Sequence, residues 1–137
     1  MAKNRILKLG KQTDFQCRMM AYQLEAYTDC NHGAGLTVLY PAYYHRICTA
    51  GAKKFARFAV QVWGISAGGK REEELARAGV EALAGFIKEI GLPSTLRELG
   101  ITEETPLEEI AASVPPTSGG YGKRTCEDVL SLFQECF

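Results

Sequence analysis

Residues 52–64 read AKKFARFAVQVWG, and the spacing of their apolar side chains decides the fold. Counted from Phe55, apolar residues recur at i+3, i+4, i+7 and i+8, so they share one face of a helix. These residues are Phe58, Ala59, Val62 and Trp63. Gly64 follows directly, and glycine is the residue that most often ends a helix. We therefore predict an amphipathic helix over about 52–63.

The same helical spacing continues toward the C-terminus. A second apolar stripe predicts a helix with three glutamates (72–74) in its first turn and Lys88 in its last, as the helix dipole favours. Gly91 and Pro93 end this helix. The stripe consists of Leu75, Gly79, Ala82, Leu83, Phe86 and Ile90.

Three shorter helices are predicted beyond Pro93. The first is capped by Ser94 and ends at residue 100, and the second is opened by the pair Thr105 and Pro106 and runs to residue 112. The last is capped by Thr125. Its apolar side chains are Val129, Leu130, Leu132 and Phe133.

Two further helices are predicted in the N-terminal third. One runs from about Asp14 to Tyr27, and a second begins near His32 and carries Pro41 in its interior, where a kink is expected. A possible short strand lies at residues 6–9. The whole pattern predicts an all-α fold of about seven helices. A length of 137 residues fits one compact domain.

The composition is that of a globular chain and excludes several classes of function. Hydrophobic residues make up 46% and charged residues 23%, with a mean hydropathy of -0.12. Basic and acidic residues balance at 16 each, so no basic field is available for nucleic acid. The longest apolar run, 34–44, is too short to span a membrane. Five cysteines without a C-x-x-C pair or a secretory leader favour reduced thiols and a cytoplasmic location.

Two motifs suggest ligand binding, and the sequence favours simpler interpretations of both. The glycine-rich segment 119–123 lacks the spacing of a phosphate-binding loop, and no buried strand precedes it. Cys17, Cys30 and His32 could be imagined as zinc ligands, but their C-x12-C-x-H spacing matches no zinc finger. A mobile loop and small buried cysteines are the better interpretations.

His32 and Arg18 are candidate functional residues because of the residues around them. His32 stands at a predicted helix start beside two glycines, where a ligand could approach the backbone closely. A hydrogen-bonded core histidine is the commoner case, and one imidazole does not make a metal site. Arg18 shares a helix face with Tyr22 and follows Asp14 by four residues, which predicts a surface ion pair. Such a pair contributes only about 0.3–0.5 kcal/mol, too little to explain an arginine on this apolar face.

Several short sequence blocks, spread along the chain, form one recognisable pattern. The most specific are HGAGL at 32–36, VWGI at 62–65 and IGLP at 90–93. Further blocks are Thr13–Phe15, Leu24–Tyr27, Pro41-Ala42, Phe58-Ala59, Leu96–Ile101 and Glu127–Leu130. Together they resemble the C-terminal helical domain of the iron-containing alcohol dehydrogenases, in particular the butanol dehydrogenase-like branch, over essentially the whole chain.

The resemblance implies one half of a two-domain oxidoreductase. In this family an N-terminal α/β domain binds NAD(P), and a helical C-terminal domain holds iron or zinc, which polarises the substrate oxygen for hydride transfer. Family enzymes bind the metal with one aspartate and three histidines. The aspartate and the first histidine lie upstream of the region that this chain resembles. His32 matches the last histidine ligand.

Two positions depart from the family pattern. The remaining histidine ligand falls at Arg18, and a further active-site histidine falls at Tyr22. A guanidinium has no free lone pair and stays protonated, so Arg18 cannot bind a metal ion. His32 is then the one candidate metal ligand of a degenerate site, and no residue is assigned to catalysis or cofactor binding. Neither iron or zinc nor NAD(P) is expected to bind well to this chain alone.

Two hypotheses of function follow from the resemblance. Residues 1–137 are expected to form the helical domain alone, because 137 residues leave no room for a nucleotide-binding domain. The first hypothesis is the metal-binding half of an NAD(P)-dependent alcohol dehydrogenase, incomplete or inactive alone, which a separately encoded nucleotide-binding chain would complete. The second is a non-catalytic helical relic or protein-association domain, in which Arg18 supplies the charge of the lost metal. Self-association through uncovered apolar surface is also expected, and no nucleic-acid or membrane partner.

Overall fold

The computed structural model describes residues 16–115 and 125–137, and it is all-helical over these two ranges. The prediction of an all-α fold with about seven helices is confirmed, since these ranges contain six α-helices and one turn of 3₁₀ helix at Arg97–Leu99. The possible strand at residues 6–9 lies outside them. No helix in the described ranges is both long enough and apolar enough to cross a membrane. The α-helices are α1 (Gln16–Thr28), α2 (His32–Ile47), α3 (Ala52–Trp63), α4 (Glu72–Glu89), α5 (Leu107–Ser113) and α6 (Cys126–Cys136).

The main hydrophobic core lies between α1, α2, α5 and α6. Each of these helices contributes a fully buried side chain to it, and Leu96 joins from the segment after α4. Burying an aliphatic or aromatic side chain of this size contributes about 1.5–3 kcal/mol. The core therefore holds α1 beside α2, which matters for the site at their junction. The four helical side chains are Leu24, Leu39, Ile110 and Phe133.

The helices α3 and α4 form a hairpin that packs against α2 through a smaller cluster around Cys48, Ala76 and Val80. They approach each other closely at Ala59 and Gly79, where a Cβ atom placed on Gly79 would lie 2.9 Å from the Ala59 Cβ atom. The apolar stripe predicted for α3 is thus only partly buried. Ala59 is fully buried, whereas Val62 remains 62% exposed.

The predicted helix ends are confirmed at both sides of the hairpin and at α6. Gly64 ends α3 with a φ angle of 66°, and Gly91 follows α4 with a φ angle of 78°. Both lie in the left-handed region, which glycine adopts without steric cost. Thr125 caps α6, because its hydroxyl accepts the Asp128 N–H while the Asp128 carboxylate accepts the Thr125 N–H at 2.9 Å.

Two short helices begin later than predicted. Ser94 does not cap a helix, because its N–H and hydroxyl both donate to the Glu98 carboxylate, and helical geometry is confined to Arg97–Leu99. The N-cap of α5 is Pro106 rather than Thr105, whose hydroxyl accepts a backbone N–H of the preceding turn. Side-chain hydrogen bonds to local backbone groups compete with regular capping in both segments.

Arg46 ties the end of α2 to α6. Its guanidinium donates to the Glu135 carboxylate at 2.8 Å, to the Ser131 hydroxyl at 3.0 Å and to the Asp128 carbonyl at 3.1 Å. A bond to a charged group is stronger than a neutral one, so this arginine fixes the register of the two helices. The helix α2 continues through Pro41, and the kink expected there stays a prediction.

Cys136 lies beside this arginine at the end of α6. Its thiol is buried, and its Sγ atom lies 3.7 Å from the Val38 carbonyl oxygen of α2. Burial raises the pKa of the thiol from 9.0 to about 12, the charge of Glu135 adds to the rise, and Arg46 opposes it. The thiol therefore stays protonated at a pH that ionises an exposed cysteine.

The close contact between Ala59 and Gly79 predicts opposite effects for two glycine substitutions in α4. Gly79→Ala is expected to lower the free energy of unfolding by about 1–3 kcal/mol, because the added methyl group overpacks the contact with α3. The control Gly85→Ala has no described atom within 4 Å of the new Cβ and should raise it by up to about 1 kcal/mol. Urea unfolding measures both. Equal changes in the two variants would contradict the close packing.

The buried thiol of Cys136 predicts a loss of stability in alkali. The unfolded thiol ionises above pH 9 while the folded thiol stays neutral up to about pH 12, so stability falls as the pH rises through this window. Between about pH 7.5 and 10.5, Cys136→Ser is expected to lose about 2 kcal/mol less than the wild type. The control Cys126→Ser, at an exposed cysteine, should follow the wild type. Urea unfolding at the two pH values measures this, and identical losses in all three proteins would refute it.

Candidate functional site

The residues singled out from the sequence come together where α1 turns into α2. Arg18 and Tyr22 lie one turn apart on α1, and His32 is the first residue of α2. Arg18 contacts Tyr22, and Tyr22 contacts His32. The structure thus brings all three into one group, the Arg18–Tyr22–His32 cluster.

Tyr22 and His32 contact each other as a nearly parallel stack of two rings. Their ring centroids are 4.6 Å apart, and the ring planes are inclined by 12°. Stacked aromatic pairs at this separation contribute about 0.5–1.5 kcal/mol beyond the burial of their surface. The Tyr22 residue is 38% exposed and the His32 side chain 29%. The stack is therefore a half-buried bridge between α1 and α2.

Arg18 extends the stack along α1. Its Nε atom donates a hydrogen bond to the Tyr22 hydroxyl at 2.8 Å, and its guanidinium carbon lies 5.3 Å from the Tyr22 ring centroid. The first distance is that of a hydrogen bond, and the second is within the range of a cation–π interaction. Asp14, the expected partner of Arg18, lies outside the described residues, so that pairing stays a prediction. The cluster carries a permanent positive charge next to its tyrosine.

Glu25 is a member of the site that the sequence analysis missed. Its Oε2 atom lies 3.3 Å from the Nδ1 atom of His32. The Nδ1 atom is buried, and the geometry is not that of a hydrogen bond, so the two groups are in contact without one. Arg18, Tyr22 and Glu25 fall at positions i, i+4 and i+7 of α1, and this spacing could have placed Glu25 on the same face.

The short turn before α2 directs His32 against α1. Asp29 has a φ angle of 55°, which places it in the left-handed region that non-glycine residues seldom adopt. Asn31 then caps α2, because its side-chain oxygen accepts the Ala34 N–H at 3.1 Å. The predicted helix start near His32 is confirmed. Asparagine directly before a helix is itself a sequence signal of this cap.

The alternative sites considered from the sequence are not supported by the described residues. Across 16–115 and 125–137, no group of three or more His, Cys, Asp or Glu side chains could hold a metal ion. Cys17 is buried among the apolar side chains of the core, and Cys30 is partly buried and packs against the same core. Their burial fits the interpretation as small core residues, and the absence of zinc there stays a prediction. The glycine-rich segment 119–123 lies outside the described residues.

Comparison with known proteins identifies the family. Residues 5–137 match the family model described as the C-terminal part of the Fe-containing alcohol dehydrogenase family. The chain belongs to this family. The resemblance inferred from the sequence is thereby confirmed.

Curated members of the iron-containing alcohol dehydrogenase family match this chain over almost its whole length. It is 34% identical to NADH-dependent butanol dehydrogenase A of Clostridium acetobutylicum, over 100% of this chain and 36% of the relative. It is 28% identical to lactaldehyde reductase of Escherichia coli K12, over 83% of this chain and 30% of the relative. The chain spans about a third of the length of the curated relatives that it matches.

Solved structures agree with this assignment. NADH-dependent butanol dehydrogenase A of Thermotoga maritima superposes with a TM-score of 0.79 at 27% identity, covering 93% of this chain and 33% of the other. A 1,3-propanediol oxidoreductase structure also superposes with a TM-score of 0.79, at 25% identity, covering 89% and 32%. The helical fold is therefore that of the C-terminal region of this family.

The residues of the cluster do not fit the metal ion that the iron-containing alcohol dehydrogenase family implies. His32 offers an imidazole and Glu25 a carboxylate, while Arg18 offers no lone pair and is bonded to the Tyr22 hydroxyl. Catalytic metal sites commonly use three protein ligands and keep one position open. Within the cluster, the position that the resemblance assigns to a histidine ligand therefore offers no donor atom. The roles of His32 as a ligand position and of Arg18 and Tyr22 as replaced positions stay predictions.

Proposed function

We propose that this chain acts as a helical, non-catalytic domain of the iron-containing alcohol dehydrogenase family. The observation that supports the proposal is the 2.8 Å bond from Arg18 Nε to the Tyr22 hydroxyl, beside the stack of Tyr22 on His32. In this proposal the side chains at the two substituted family positions contact each other and hold no substrate-polarising metal.

The electrostatics of the cluster support the same proposal. A metal ion acts as a Lewis acid only where ligands with free lone pairs hold it, and the guanidinium of Arg18 provides none. The positive charge of Arg18 also repels a cation bound nearby, and solvent screens part of this repulsion because the side chain is exposed. A divalent ion beside His32 would meet this repulsion in addition to the missing ligand. Arg18 thus opposes metal binding twice.

The domain would work through association with another polypeptide. The family members matched here are about three times as long as this chain, and butanol dehydrogenase A of Clostridium acetobutylicum is named as NADH-dependent. We propose a nucleotide-binding polypeptide of the same family as the partner, in the cytoplasm, where the thiols would stay reduced. Self-association of this chain is the competing outcome.

A second candidate function is an enzyme half completed by such a partner. The identity of 34% over the whole chain to a butanol dehydrogenase and the presence of His32 favour it. In that case the partner would supply NAD(P) and further metal ligands, and His32 would bind the metal through a ring nitrogen. The stack and the charge of Arg18 make this the weaker of the two candidates.

Metal binding and activity distinguish the two candidates. We expect the purified chain to bind neither Zn²⁺ nor Fe²⁺ in isothermal titration calorimetry, because Arg18 removes one ligand and adds a charge. We expect no NADH-dependent reduction of butanal, either alone or after addition of the nucleotide-binding polypeptide. Size-exclusion chromatography of the same mixture measures whether the two polypeptides associate.

The control for metal binding is the double variant Arg18→His, Tyr22→His. It restores two imidazoles beside His32 and should bind Zn²⁺ measurably but weakly, which shows that the titration can detect a partial site. Tight binding of one equivalent by the wild type, or butanal reduction by the mixture, would sink the proposal in favour of the enzyme half. A mixture that elutes as two separate species would overturn the proposed partner.

A further inference from the structure

We infer that the Arg18–Tyr22–His32 cluster is a metal-independent lock that joins α1 to α2 in the place of a metal ion. This inference deepens the proposed function and rests on it. By the resemblance, a metal in this family connects the residue at position 18 with the histidine at position 32. In this chain the same two positions are connected by side chains alone, through Tyr22.

The contacts cross the junction at two points. Tyr22 stacks on one face of the His32 ring, and the Glu25 carboxylate lies 3.3 Å from its Nδ1 atom. Both partners belong to α1, whereas His32 opens α2. The imidazole is therefore held in position from two sides by residues of the preceding helix. His32 therefore links the two helices through its contacts with Tyr22 and Glu25.

The turn between the two helices is the segment that such a lock would stabilise. Asp29 adopts a left-handed conformation, which aspartate adopts more readily than most non-glycine residues but still at some cost, and its N–H donates to the Glu25 carbonyl at 2.7 Å. A conformation of this kind persists only where surrounding contacts stabilise it. The main core supplies such contacts on the inner side of α1 and α2. The cluster supplies them at the half-exposed end, close to the turn itself.

Arg18 completes the lock by orienting Tyr22. The bond from its Nε atom fixes the phenol hydroxyl, so that the Tyr22 ring lies flat against the imidazole rather than turning toward solvent. The positive charge at position 18 therefore comes from the side chain of Arg18 itself. The stability of the junction should then be independent of any added or removed metal ion.

A double-mutant cycle on the stack tests the inference. Tyr22→Ala and His32→Ala are each expected to lower the midpoint of thermal unfolding by about 3–6 °C. The double variant should lose about 2–6 °C less than the sum of the single losses, because each single change already removes the stack. Circular dichroism measures the midpoints, with and without EDTA, and EDTA is expected to change none of them.

Three further variants sharpen the cycle. Tyr27→Ala removes another exposed tyrosine of α1 outside the stack, and its loss should add to that of His32→Ala. Tyr22→Phe keeps the ring but not the hydroxyl, so it should fall between the wild type and Tyr22→Ala. Should Tyr22→Ala fail to fold, Tyr22→Leu takes its place, since it keeps apolar bulk without a stacking ring.

The outcomes separate the lock from the proposed function. Additive losses for Tyr22→Ala and His32→Ala, in a chain that binds no Zn²⁺, would overturn the lock alone. A fall of the wild-type midpoint in EDTA, reversed by Zn²⁺, would overturn both, because the junction would then depend on a bound metal. Non-additive losses without an EDTA effect support the lock.

Discussion

Tyr22 lies flat on His32 where the chain reverses between α1 and α2, and the chemistry of the site depends on this contact. Buried side chains such as Leu24 and Leu39 hold the two helices together from within. The turn through Asp29 and the cap at Asn31 then place His32 against α1. The stack engages the face of the imidazole and so helps to position the two helices, while the guanidinium of Arg18 offers no lone pair to a metal ion.

The helical fold is shared with the family, whereas the loss of its metal chemistry is our proposal. The helical architecture matches solved relatives with a TM-score of 0.79, and buried apolar side chains form its main core and the contact of the α3–α4 hairpin with α2. Function depends on particular side chains at a site rather than on the fold that carries them. In this chain Arg18 places a positive charge beside His32 and Tyr22, and the Tyr22 hydroxyl accepts a hydrogen bond from it.

The helices could be predicted from the sequence because their signals are local. Gly64 and Thr125 mark their ends through backbone conformation and capping, which neighbouring residues determine. The burial of the stripes was less predictable, since Val62 shares its apolar spacing with Ala59 and yet stays exposed. The stack and the approach of Glu25 to His32 depend on how two helices meet, and spacing within one helix does not determine that meeting.

We propose that side chains, and not a metal ion, occupy the junction of α1 and α2. The most direct measurement is a crystal structure of the chain grown with an excess of Zn²⁺, with anomalous diffraction recorded at the zinc edge. We expect the Tyr22 ring stacked on His32, Arg18 bonded to the Tyr22 hydroxyl, and no anomalous peak beside the imidazole. An anomalous peak about 2.0–2.1 Å from a His32 nitrogen, with Tyr22 displaced from the ring, would contradict it.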